Sequence, residues 1–162
     1  MGFARLHTNG LKLPREVRLK DVTADNWEAV VDLELRDGQE DLVASNAYSL
    51  AESKFNPFAR PRAIYSGRRI IGFLMYESLE AEGKPHEAAI YRFMIDKNHQ
   101  GKGYGRAALE KTLDEIRQMP QIRKVSICYM PDNPVAKRFY ESFGFVEVGR
   151  DEDGEMIAEL AL

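Results

Sequence analysis

Apolar and polar positions along this chain follow two rhythms, and the change from one to the other marks out its elements. Val17, Leu19 and Val22 stand near alternate positions and predict a first strand. Trp27, Val30 and Val31 then share one side of a helix that Thr23 can cap, with Trp27 as its anchor. From Asp37 to Pro57 the chain is polar and only weakly helical. The runs PRAIY and IIGFLMYESL flank Ser66-Gly67-Arg68-Arg69 and predict a hairpin, and a turn over 80–85 leads into a third strand, EAAIYRFMID. The period then lengthens: Ala108, Leu109, Thr112, Leu113 and Ile116 fall on one helix face and charged residues on the other, up to Pro120. KVSICYM, from Lys124 to Met130, predicts a short strand. In the helix that follows, Asn133 can cap, Pro134 takes the first position and Gly144 fits the left-handed stop. Its apolar face is Val135, Ala136, Phe139, Tyr140 and Phe143, and a last hairpin turns on Asp153-Gly154. The order is strand, one or two helices, three strands, helix, strand, helix, two strands. Such an order predicts an α/β (α+β mixed) fold, a mixed sheet with helices on its faces.

Length and charge narrow the function classes. A chain of 162 residues suits one domain spanning 1–162, with residues 1–15 as a loosely ordered arm. With 23 basic against 26 acidic residues, the net charge of −3 argues against a nucleic-acid partner. One cysteine, Cys128, and three scattered histidines offer no disulfide and no metal-ligand spacing. No apolar run approaches a membrane span, and the N-terminus lacks the apolar centre of a secretory signal. The expectation is a cytoplasmic protein without a metal, and Cys128 reads as strand packing.

Between the strand ending at Ile95 and its helix stand Gln100, Gly101, Lys102, Gly103, Tyr104 and Gly105. A glycine-rich entrance to a helix can hold an anion, because first-turn amides point outward and the helix dipole favours negative charge. Two nucleotide motifs fail here. A P-loop needs Ser or Thr after its Gly-Lys, and a dinucleotide fingerprint needs its third glycine one position later than Gly105. On the glycines alone, a flexible loop remains an equal alternative.

The run Gln100–Gly105 resembles the [RQ]-x-x-G-x-[GA] motif of the GNAT superfamily of N-acetyltransferases. About thirty residues on, Asn133, Ala136, Tyr140, Gly144 and Phe145 match a second pattern of that family. The resemblance covers most of the chain from Val17 to Leu162 and is greatest to bacterial spermine/spermidine (diamine) acetyltransferases, through GQEDLVASNAYSLAES and YRFMIDKNHQGKGYG. It implies a mostly antiparallel mixed sheet of about seven strands, helices on both faces, with a bulged strand ending at Ile95 splayed from the one ending at Met130. It implies acetyl-CoA as cosubstrate, its pyrophosphate on the amides of Gln100 to Gly105 beside Arg106, and its pantetheine arm against Phe93, Met94 and Ile95. Asn133 and Ala136 would flank that arm, Asn133 serving as helix cap, as a CoA contact, or as both. Members often form homodimers, and the final hairpin offers an edge for one.

Amine acetylation needs a deprotonated amine, donors aimed at the carbonyl oxygen and a proton for the departing thiolate. By the resemblance, Tyr140 is the general acid and the Met94 N–H the oxyanion donor. Related polyamine acetyltransferases commonly carry a carboxylate nine residues before the Gln of the motif, where this chain has Tyr91. Glu28, Glu40, Asp41 and Glu87 are alternative carboxylates, and a water relay to Glu87 or Tyr91 is one proton route. Glu34, Asp37, Glu40 and Asp41 would steer a polycationic small-molecule amine. The expected reaction is acetyl transfer to a primary amine, with polyamines favoured. A protein N-terminus, a lysine or an aminoglycoside is the alternative acceptor, and a non-catalytic CoA-binding sensor the alternative class.

Overall fold

A computed structural model describes residues 16–162, and the expected arm over 1–15 lies outside the described residues. The elements run β1 (Arg18–Asp21), α1 (Trp27–Val31), a 3-10 turn (Glu40–Leu42), α2 (Asn46–Ser53), β2 (Ala59–Ser66), β3 (Arg69–Ser78) and, after a second 3-10 turn, β4 (Glu87–Ile95). Then follow α3 (Tyr104–Arg117), β5 (Lys124–Tyr129), α4 (Pro134–Glu141), β6 (Val146–Arg150) and β7 (Met156–Ala161). The strands form one seven-stranded sheet in the order β1-β2-β3-β4-β5-β7-β6. Every neighbouring pair is antiparallel except β4 with β5.

Each face of the sheet carries its own core. On one side the α3 face expected from its 3.6 period, with Ala107 added, packs against Ile71, Leu74, Ile90, Val125 and Ile127. Leu109 and Ile116 are wholly buried, and each such side chain contributes about 1.5–3 kcal/mol of transfer free energy. On the other side Val30 of α1 and Leu50 of α2 cover Phe73, Met75 and Met94. Both hairpins form at the expected turns, where Gly67 and Gly154 take positive φ.

Four expectations change. The weakly helical stretch contains a true helix, α2, whose cap Ser45 accepts from the Tyr48 N–H at 3.2 Å. Its buried residues are Asn46 and Ser49, which is why no apolar stripe announced it. Thr23 opens a turn, its carbonyl accepting from Trp27 N–H, while Asn26 stands immediately before α1. Trp27 is 46% exposed and Val30 anchors that helix instead. Val135, expected on the apolar face of α4, is 73% exposed.

Candidate active site

Strands β4 and β5 stay together only while Glu87–Ile90 faces Lys124–Ile127. Beyond Ile90, β4 pairs with β3 alone, so its peptide groups on the other side meet no strand. The gap is a cleft of about 400 Å³. One wall is Tyr91 to Ile95 of β4, and the other is Cys128 to Met130 with Asn133, Ala136, Phe139 and Tyr140. Gln100 and Gly105, with Leu35, Gln39, Leu42 and Val43 of the segment after α1, complete the lining.

The expected bulge is present, at Tyr91. Met75 pairs with Arg92 and Tyr76 with Ile90, so Tyr91 is the extra residue and faces no partner across the ladder. Its hydroxyl is buried with no hydrogen-bond partner among the described residues. Burial, then the nearby Glu77 and Glu52 carboxylates, push this phenol above its ordinary pKa against the opposing charge of Arg92. Arg92 itself donates to Ser49 Oγ and to Glu52, each at 3.1 Å, so its charge is balanced at the cleft wall.

At the helix entrance Gly101 and Gly103 take left-handed φ values of 70° and 86°. An L-residue there costs about 1–2 kcal/mol, so conformation alone asks for two of the three glycines. A Cβ on Gly101 would meet nothing within 4 Å, whereas one on Gly105 would touch Ile95 and Phe139 at ordinary distances of 3.8 and 3.9 Å. The first bond shown within α3 is from the Ala107 N–H to the Gly103 carbonyl at 3.2 Å. Helix geometry supplies no intrahelical acceptor for the amides before it. Lys102 Nζ donates to the Asn98 carbonyl, Tyr104 sets its edge to His99, and the Arg106 guanidinium lies over Phe143. Asn133 is the α4 cap, its Oδ1 accepting from Ala136 N–H at 3.0 Å, and it also lines the cleft.

Tyr140 stacks on Tyr129 with ring centroids 5.7 Å apart and meets Phe139 and Phe145 edge-on. Burial, and then Tyr129, hold its phenol above the ordinary pKa. Tyr129 in turn donates to Glu147 at 2.7 Å. Cys128 is exposed and lines the cleft, contrary to its reading as packing. The residue is exposed but its thiol is only partly hydrated; that desolvation, then Asp151 and Glu155, push its pKa up to about 11, so at neutral pH it is not a thiolate nucleophile.

The carboxylates expected near the reaction are not brought to it. Glu87 sits where β4 and β5 are still paired, 3.2 Å from Lys124, and does not line the cleft, so a relay through it has no carboxylate to reach. Glu28 is exposed on α1, and Glu34 is ion-paired with Lys97. Glu40 and Asp41 are exposed on the 3-10 turn, and only their neighbours Gln39, Leu42 and Val43 reach the cleft. Gln39, Arg92 and Phe139 were missed as site residues: Gln39 and Arg92 lie in the two stretches that carry the family resemblance, which marks the segments and not these side chains, and Phe139 reads as ordinary core.

Residues 27–145 match the Acetyltransferase (GNAT) family. Over 150 residues the chain is 29% identical to the spermine/spermidine N(1)-acetyltransferase of Bacillus subtilis (strain 168), spanning 89% of this chain and 99% of that one. In fold it is similar to the Vibrio cholerae spermidine N-acetyltransferase solved with CoA and spermine (TM-score 0.69, 17% identity, 90% of this chain and 94% of that one). The Escherichia coli ribosomal-protein-S18-alanine N-acetyltransferase is equally similar (TM-score 0.69, 19% identity, 90% and 94%). Two named acceptors as different as a polyamine and a protein alanine sit on this one fold, so the fold by itself does not choose the substrate.

Proposed function

Because this chain belongs to the GNAT acetyltransferase family, we propose that it transfers an acetyl group from acetyl-CoA to a primary amine of a polyamine such as spermine or spermidine. The observation that carries the donor half is the split of β4 from β5, which leaves one side of β4 without a strand partner and leads to the glycine-rich start of α3. A pantetheine arm carries two amides on an extended chain, and a strand edge that no neighbouring strand covers is its natural complement. The pyrophosphate would take the first-turn amides of 101–106. The acceptor half is supported by the likeness, over nearly all of both chains, to the Bacillus enzyme.

In the proposed step the neutral amine attacks the thioester carbonyl from the side of Tyr91 and Leu35. The C–N bond forms, the C–S bond breaks, and the Phe93 N–H, on the cleft side of β4, stabilises the charge on the carbonyl oxygen. Met94, expected in that role, is corrected by the register: the Asp96 N–H bonds the Ile71 carbonyl, so two residues back the Met94 N–H faces Phe73 of β3 and not the cleft. The amine gives its proton to water, and the thiolate takes one from Tyr140. Burial raises the Tyr140 phenol, and burial in the same cleft raises the departing thiolate in the same direction, since each anion loses hydration there. The buried phenol of Tyr91 is not a phenolate base at neutral pH, and its hydroxyl is closed to the incoming amine.

The test is CoA thiol release from acetyl-CoA across spermine, spermidine, putrescine, an aminoglycoside and a short peptide. Release with the polyamines supports the reading, and preference for the peptide or the aminoglycoside removes the acceptor while leaving the donor site. Acetyl-CoA binding without release on any amine would favour a sensor. Two glycine variants examine the donor loop. Gly101→Ala is expected to raise the KM for acetyl-CoA about five- to thirtyfold, the factor that ~1–2 kcal/mol of left-handed strain implies. Gly105→Ala is expected to leave it within about twofold, since its methyl fits at ordinary contact distances. Equal effects of the two would count against a built donor loop. If the proposed homodimer forms through the β6 edge, sedimentation will give twice the 18.5 kDa chain mass.

A further inference from the structure

The segment after α1, which lines the cleft through Leu35, Gln39, Leu42 and Val43, is fastened to the loop that leads into α3. Gln39 and Gln100 form a reciprocal amide pair: Gln100 Nε2 donates to Gln39 Oε1 at 2.8 Å, and Gln39 Nε2 donates to Gln100 Oε1 at 3.2 Å. Gln39 Oε1 also accepts from the Arg36 N–H at 3.0 Å, and Gln100 Nε2 also donates to the Ile95 carbonyl at 3.0 Å. Both lone pairs of the one carbonyl and both protons of the other amino group are therefore committed, which fixes the orientation of each side chain. Further back, the buried Asp96 carboxylate accepts from the Glu34 N–H at 3.1 Å. The Lys97 N–H donates to the Glu34 carbonyl at 2.7 Å, and the Lys97 and Glu34 side chains form an ion pair.

We infer that Gln39 is a positioning residue that ties the wall formed by Gln39, Leu42 and Val43 to Gln100, so that occupation of the donor loop orders the acceptor wall. The inference rests on the reading of residues 100–105 as the donor loop. The physical reason is the committed pair itself. Gln100 stands at the head of that loop, and any donor that fixes 100–105 fixes the Gln100 amide, to which Gln39 is bound in both directions. The wall next to Gln39 has no strand or long helix to hold it; it is a 3-10 turn of three residues. Ordering it once, on donor binding, spares the acceptor that entropy, and the coupling is reciprocal by linkage. Gln39 touches neither reacting atom in this account and acts through Gln100.

The experiment is amide hydrogen exchange on the full chain with and without CoA. In the wild type, CoA is expected to slow exchange over 34–43 as well as over 100–106. In Gln39→Ala the slowing over 100–106 is retained and that over 34–43 is lost. Gln39→Glu still accepts from Arg36 N–H and Gln100 Nε2 and is expected to recover most of it, which general loosening of the loop would not explain. In kinetics, Gln39→Ala is expected to raise the KM for spermine about fivefold or more with kcat little changed, the lower end of ordinary coupling factors. Retention of the 34–43 response in Gln39→Ala, or its absence in the wild type while 100–106 responds, overturns the inference alone. No CoA response anywhere overturns the donor-site reading and the inference together.

Discussion

Tyr140→Phe is expected to lower kcat by about 10²–10⁴-fold, the range of a lost general acid, with the affinity for acetyl-CoA nearly unchanged. The substitution removes one oxygen from a ring held on three sides by Tyr129, Phe139 and Phe145. Phenylalanine keeps those contacts, so a fall in kcat at constant melting temperature reports chemistry and not packing. The pH profile gives an independent reading. A general acid works while protonated, so its own pKa sets where the rate falls at high pH. Burial raises the Tyr140 pKa, so that fall is moved above the ordinary tyrosine range. Below it, kcat/KM is expected to climb about tenfold per pH unit from 7 to 9, because only the unprotonated amine, with a pKa of roughly 10, can attack. A Tyr140→Phe enzyme with wild-type kcat would leave Tyr140 as core and require the thiolate to depart unprotonated.

What the chain discloses in advance, and what it hides, follows from where each residue gets its meaning. The α3 face and its buried Leu109 and Ile116 are fixed by local period, and the structure follows them residue by residue. The cap at Asn133 and the turn at Gly154 are equally local, each resting on bonds spanning only a few residues. The splay of β4 from β5 was expected only through family resemblance, since no short pattern states that two strands will part after Ile90. Gln39 was hidden for the same reason: its stretch, GQEDLVASNAYSLAES, resembles the family, but its partner lies 61 residues away and no local pattern names it. The acidic residues show the reverse error. Glu34, Glu40 and Asp41 looked like a cation funnel because they are close in sequence, yet the backbone turns them outward or into an ion pair and presents Leu42 and Val43 to the cleft.

Gly72→Ala is expected to damage this protein more than any change among the donor glycines, although nothing in its local sequence marks it. Gly72 is buried in β3 opposite Ile95, next to the irregularity where Ile64 pairs with Gly72 and Tyr65 with Ile70. A Cβ there would stand 2.6 Å from the Met94 carbonyl oxygen, 2.9 Å from Ile95 Cδ1 and 3.0 Å from Ile64 Cδ1. The first of these is backbone and cannot rotate away, so β4 itself must move. Overpacking of this kind costs about 1–3 kcal/mol, which for a domain of this size lowers the melting temperature by about 2–4 °C per kcal/mol. The displaced segment, Met94 and Ile95, is a wall of the cleft and adjoins Phe93, which carries the proposed oxyanion donor. Misplacement of such a donor by a fraction of an ångström to 1 Å can cost about 10²-fold in rate. Melting temperature and kcat are therefore expected to fall together in Gly72→Ala. Gly149→Ala is the control, since its Cβ would meet nothing within 4 Å. A loss of melting temperature in Gly72→Ala with unchanged kcat would show that β3 yields instead of β4, and that the end of β4 is held from the cleft side by Gln100 on the Ile95 carbonyl more firmly than by its own ladder.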